Sequence, residues 1–289
     1  KRIDRMRACA LSLGQQHRLS MLHFFRPKKA QPKLPHIEAS VPAGERVYAV
    51  GDIHGRADLF IALIEGVEVD NRECGPAETT VILLGDLVDR GPDSVNVLAL
   101  AREWQRFRKV HILAGNHEEM FLRGFESEDM LRHFLRHGGR DTLMSYGMDA
   151  RAYSRATIDE VQEMMRTLVP QQDIDFIAGF ENVVTIGDYI FVHAGIEPGI
   201  PLAEQHVSKL RWIREPFLSH CEPHDGVIVH GHTITEEPED QGNRIGIDTG
   251  AYASGRLTAL VLEGSSRRYI TAVDDGEGGV SIVNEQSAG

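Results

Sequence analysis

Between residues 46 and 125 the chain repeats one pattern three times: a short β-rich apolar run, a polar turn built on glycine, then a helix-like stretch. The apolar runs are Arg46–Val50 (RVYAV), Thr80–Leu84 (TVILL) and Lys109–Leu113 (KVHIL), and the helix-like stretches cover about 57–69, 93–107 and 118–125. Strand, turn and helix in repetition predict an α/β fold with a mainly parallel sheet. Ligands of such sheets bind beyond the carboxyl ends of the strands. All three polar turns belong to that edge.

Residues 126–180 are helical in pattern and predict a small cap beside it. The chain then turns β-rich. Val183–Ile186 and Tyr189–His193 flank Gly187-Asp188 as a hairpin, and Gly226–His230, Arg244–Asp248, Arg256–Leu262 and Arg268–Val273 read as further strands. The expected organisation is a basic leader over 1–44, one domain over 45–273 with the cap inserted at 126–180, and a polar, Gly-rich tail over 274–289 that frays. The leader holds Pro27, Pro32, Pro35 and Pro42 and reads as lying outside the fold.

Charge narrows the partners. The formal net charge is −12, yet residues 1–36 hold nine Lys or Arg against the single acid Asp4. That places +8 on the leader and −20 on residues 37–289. So acidic a body does not suit duplex nucleic acid, which is bound by neutralising phosphates with basic groups. Three scattered cysteines, Cys9, Cys74 and Cys221, form no CxxC pair, so neither a disulfide framework nor a thiolate zinc site is expected. They fit a reducing, cytoplasmic setting. No run of eighteen apolar residues suggests a membrane span.

The turns carry metal-competent side chains: Gly51-Asp52-Ile53-His54-Gly55, Gly85-Asp86-Leu87-Val88-Asp89-Arg90-Gly91 and Gly115-Asn116-His117-Glu118, with Val192-His193-Ala194-Gly195 and His230-Gly231-His232-Thr233 downstream. Asp52 and His54, two apart in an extended segment, point the same way and can grip one ion. Asp, Asn and His without thiolates suit manganese, iron or zinc. Each residue alone could be a turn or cap residue; together, on successive strand ends, they read as a site. His230 reads as a structural histidine and His111 as strand packing. His133 and His137, four apart, read as a solvated helix face. Asp248 and Tyr252 either line the pocket or close a turn.

The ordered set GDIHG, GDLVDRG and GNHE resembles the phosphoprotein phosphatase family of calcineurin-like metallophosphoesterases, and the HAG and GHT elements are similar to those of its bacterial and phage members. The resemblance spans residues 46–263. It implies a sandwich of mixed sheets flanked by helices and two divalent ions, manganese being expected ahead of iron or zinc. Asp52 and His54 would bind the first ion, Asp86 would bridge both, and Asn116, His193 and His232 would complete the second. Arg90, Arg214 and Asn116 would bind phosphate. His117, oriented by Asp89, would protonate the leaving alkoxide after attack by a hydroxide held between the ions. Arg214 is preferred to Arg211 because it ends a Trp-x-Arg element.

The activity implied is hydrolysis of phosphate monoesters, on phosphoserine or phosphothreonine in protein or on a small phosphate ester. A symmetrical dinucleoside-tetraphosphate hydrolase is the alternative enzyme, but that group departs from DRG and GNHE at the positions of Asp89 and Glu118. A catalytically silent metal-binding scaffold would be expected to lose ligands. Diesterases carry a further His where this chain has Ile234.

Overall fold

The computed structural model describes residues 39–286. Most of the leader expected over 1–44 therefore lies outside the described residues. Its last part does not behave as expected. Ala39 and Val41 are buried against the core, and the Asp188 carboxylate accepts the Ser40 N–H at 2.9 Å, so the fold begins upstream of residue 45.

β1 (Glu45–Val50) leads into α1 (Ala57–Glu73), β2 (Glu78–Leu83) into α2 (Ser94–Trp104) and β3 (Lys109–Ile112) into α3 (Asn116–Gly124). β1, β2 and β3 run parallel, as the repeated pattern predicts. The cap follows as α4 (Glu128–Phe134), a π turn over Leu135–Gly139, α5 (Arg140–Ser145), α6 (Ala150–Tyr153), α7 (Ile158–Leu168) and α8 (Gln171–Ala178). β4 (Val183–Ile186) and β5 (Tyr189–Val192) form the expected antiparallel hairpin. α9 (Val207–Trp212), β6 (Val227–His230), β7 (Glu239–Asp240), β8 (Arg244–Gly246), α10 (Ala251–Ser254), β9 (Arg256–Glu263), β10 (Ser266–Asp274) and β11 (Val280–Gln286) complete the described chain.

The strands make two mixed sheets, ordered β11-β10-β9-β1-β2-β3 and β4-β5-β6-β8-β7. Period-2 alternation explains the layering. Val47 and Ala49 face the second sheet, joining Tyr189, Phe191, Val229 and Ile245 in one core, whereas Tyr48 and Val50 face α1 and α2 in another. The tail expected to fray over 274–289 is described only to residue 286, and there Val280–Gln286 is an edge strand paired antiparallel with β10 from Arg268 to Asp274. The Gly-rich loop before it hides the short alternation Val280-Ser281-Ile282.

Candidate metal centre and active site

Five strand ends deliver the site. Asp52 and His54 follow β1, Asp86 follows β2, Asn116 and His117 open α3 after β3, His193 follows β5 and His232 follows β6. All seven side chains are buried. The turns are tight: His54, Asp86, Asp89, Arg90 and His232 hold φ of +46°, +48°, +73°, +67° and +61°, and they are the non-glycine residues of positive φ among the described residues. Neighbouring glycines make room. A Cβ at Gly115 would stand 2.1 Å from Asp86 Oδ1, and one at Gly231 would stand 2.0 Å from Asp52 Oδ1.

Asp86 is the centre of the arrangement. Its Oδ2 lies 3.5 Å from His54 Nε2 and 3.9 Å from His117 Nε2, while Oδ1 lies 3.4 Å from His193 Nε2. Two triads result, His54-Asp86-His117 and Asp86-His193-His232, each with ligand atoms within 4.8 Å of one another and each able to hold a metal ion. His54 and His193 sit 2.8 Å from the carbonyls of Val88 and Leu84 through Nδ1. A carbonyl only accepts, so each Nδ1 carries the proton and each Nε2 lone pair is turned toward Asp86. Asn116 Oδ1 lies beside the second group, 3.0 Å from His193 Nε2.

The electrostatics fit divalent cations. Burial raises the Asp52 carboxyl well above its ordinary range, with Asp248 and Asp86 adding to the effect, and burial lifts Asp86 to about 6. Burial also pushes His193 down to about 4 and His232 to about 2. Asp52 Oδ1 and Asp248 Oδ2 are buried with no hydrogen-bond partner. Crowded carboxylates that resist ionisation beside imidazoles kept neutral are relieved by a bound cation. The donors are oxygen and nitrogen, without thiolate, which suits hard-to-borderline divalent metals. Asp52 stands a step apart from the expected set. Its Oδ2 accepts the His232 N–H at 3.0 Å, and it joins neither triad, His117 occupying its place in the first.

Beside the triads, His117 Nδ1 lies 2.6 Å from Asp89 Oδ2, with both side chains buried. The Nδ1 proton belongs to that bond, so Nε2 accepts from Arg90 Nη2 at 3.0 Å, while Arg90 Nη1 donates to His54 Nε2 at 2.8 Å. Burial pushes His117 down to about 4, Asp86 opposing and Arg90 reinforcing the shift. Tyr252 covers the Arg90 guanidinium at 4.8 Å from its ring centre, which places it beside the candidate site. Arg214 donates to Thr233 Oγ1 at 3.1 Å and to the His232 carbonyl at 3.2 Å, beside the triads. Arg211 instead engages Asn182 and Glu119.

His230 is buried and its Nδ1 lies 3.0 Å from the Gly231 carbonyl, in keeping with a structural histidine. His133 and His137 belong to neither metal-competent group among the described residues. His111 does not pack as expected: its Nδ1 meets the Glu181 carboxylate at 2.7 Å on a partly exposed face. Sequence reasoning gave Glu118 no task. Its carboxylate accepts the N–H groups of Asp86, Leu87 and Gly115 at 2.9, 2.8 and 2.9 Å, tying the second and third turns together. The signal was available, since an acid at the third position of a helix is placed for a capping box.

Acids and imidazoles gathered at the carboxyl ends of two sheets, next to a guanidinium and a carboxylate-paired histidine, define a metal-dependent phosphoesterase hydrolase. The chain belongs to the calcineurin-like phosphoesterase family, which matches residues 45–250 and whose members carry a binuclear divalent-metal centre. It is similar to the asymmetrical bis(5'-nucleosyl)-tetraphosphatase PrpE of Anoxybacillus flavithermus, 27% identical over 234 residues that cover 73% of this chain and 88% of the relative. It is also similar to serine/threonine-protein phosphatase 1 of Salmonella typhimurium, at 28% identity over 75% of this chain and 92% of the relative. The crystal structure of a cold-active protein-tyrosine phosphatase from a psychrophilic Shewanella shares the fold, with a TM-score of 0.53, 18% identity, and 90% and 87% of the two chains covered. Among the described residues no helix is long and apolar enough to cross a membrane.

Proposed function

We propose that the chain is a two-metal phosphomonoesterase acting on phosphoserine and phosphothreonine in protein. Asp52, His54 and Asp86 hold the first ion in this reading, and Asp86, Asn116, His193 and His232 the second. The bridging role of Asp86 is supported by its two oxygens, which face His54 and His193 at 3.5 and 3.4 Å. Divalent ions held by these residues would supply an ionised water for attack at phosphorus and charge neutralisation for the phosphoryl oxygens.

The observation that carries the reading is the Asp89–His117 pair at 2.6 Å. An alkyl phosphate expels an alkoxide of high pKa, which needs a proton as it leaves. His117 Nε2 is the group placed to give one, and a phosphate dianion prepares it for the task. The anion draws the Arg90 guanidinium off Nε2, which removes one cause of the depressed His117 pKa and leaves Asp89 to stabilise the imidazolium. The Arg90 fork then clamps two phosphoryl oxygens. Arg214, anchored on the His232 carbonyl, is the second phosphate-binding guanidinium.

A second reading, hydrolysis of dinucleoside tetraphosphates, is favoured by the similarity to PrpE. A substrate panel on protein reconstituted with manganese separates the two: phosphopeptides carrying each of the three phosphorylated hydroxyls, a dinucleoside tetraphosphate and a phosphodiester. Phosphoserine and phosphothreonine peptides are expected to rank first in kcat/KM. A tetraphosphate turned over faster than every phosphopeptide would overturn the protein-phosphatase reading. Replacement of Arg90 by Ala is expected to remove a charged phosphate contact of about 1.5–3 kcal/mol, lowering kcat/KM by about one to two decades. Unchanged efficiency in steady-state assays would take Arg90 out of the site.

A further inference from the structure

The cap reaches the proton donor through one hydroxyl. Thr142, on α5, is fully buried, and its Oγ1 donates to Asp89 Oδ1 at 2.6 Å while accepting the Asp89 N–H at 2.8 Å. Ser94 Oγ, at the start of α2, lies 3.0 Å from Thr142 Oγ1 and 3.1 Å from the same Asp89 nitrogen. Thus one oxygen of Asp89 is held by the cap and the other meets His117. The peptide is gripped a second time next door, where the Gly138 carbonyl accepts the Arg90 N–H at 3.2 Å. Gly138 has φ of +109°, and a Cβ there would stand 2.7 Å from the Arg90 backbone nitrogen. Only a glycine lets the cap come so close.

Asp89 and Arg90 both hold left-handed backbone, which their own side chains do not favour. Something outside the turn must impose it. We propose that Thr142 is a positioning residue for catalysis: by holding Asp89 at both its amide and its Oδ1, it aims Oδ2 at His117 and so sets the orientation of the proton donor. The cap thereby serves proton transfer as well as covering the site. This rests on the general-acid reading of His117.

The test compares Thr142→Val, Thr142→Ser and His117→Asn in the full chain, with metal content and melting temperature recorded for each. The substrates are a phosphoserine peptide, with a poor leaving group, and p-nitrophenyl phosphate, with a good one. Thr142→Val keeps the volume and removes both hydrogen bonds to Asp89, together with the contact to Ser94. It is expected to lower kcat on the peptide about tenfold with KM within about twofold, and to leave the aryl phosphate within about twofold. Thr142→Ser, which keeps the hydroxyl, is expected to recover most of the loss. Equal losses on both substrates, or a serine variant as impaired as the valine one, would overturn the positioning role. If the valine variant does not fold, Thr142→Cys, close in volume and a weak donor, is judged by the same split. His117→Asn separates the failures: a leaving-group split there without one at Thr142 removes only the present inference, whereas no split at His117 removes the general acid and Thr142's task with it.

Discussion

Replacing His117 by Asn is expected to slow hydrolysis of a phosphoserine peptide by about 10²–10⁴-fold, the usual worth of a positioned acid. p-Nitrophenyl phosphate, whose leaving group departs without a proton, should lose distinctly less. The expectation follows from a ring whose Nδ1 proton is committed to Asp89 at 2.6 Å, leaving Nε2 as the end that can face a leaving oxygen. Asp89→Asn should show the same split more mildly, because it disturbs the orientation and charge of the ring without removing it. Since His117 also borders the first metal-competent triad, metal content has to be measured alongside the rates. Equal losses on both substrates with metal content unchanged would show that His117 binds phosphate or supports the metal rather than donating a proton.

The second large effect is expected at Asp86. Its two oxygens each face one triad, its backbone N–H is held by the Glu118 carboxylate, and its Oδ1 accepts the His117 N–H. Asp86→Asn keeps the shape and removes the shared negative charge, so both ions should be lost together rather than one. Elemental analysis after dialysis is expected to find far fewer than two ions per chain, with activity falling in parallel. Two ions still tightly held would contradict the bridging assignment.

Much of this site could be read from the chain because its chemistry is local. A carboxylate, carboxamide or imidazole at the end of a parallel strand needs no distant partner to be recognised, and Asp52, His54, Asp86, Asn116 and His117 all belong to that kind. His193 and His232 reach the same place from the second sheet, where strand-end placement made them candidates and the family resemblance of the HAG and GHT elements singled them out. What was hidden depends on contacts between remote segments. Thr142 lies 53 residues from Asp89 in a cap whose pattern advertises only helices. Tyr252 and Asp248 were left between pocket and turn, because their roles depend on how α10 and the end of β8 meet Arg90 and Asp52. His111 failed for a related reason: a strand position does not reveal that Glu181 stands opposite. The fold of Val280–Gln286 was missed differently, because the Gly-rich loop before it and the polar residues after Val283 make its short apolar stretch read as part of a tail.

The left-handed backbone at His54, Asp86, Asp89, Arg90 and His232 bears on how such a chain drifts over evolutionary time. Sparsely populated conformations of this kind cost about 1–3 kcal/mol each and persist only while the surroundings enforce them. A descendant released from selection for turnover could accept glycine at these places, relax the turns and gain stability as it loses ligands. Decay of the activity would then run downhill in free energy. An inactive paralogue of this chain should accordingly melt at a higher temperature than the metal-free active form, with glycine or asparagine where these five side chains stand.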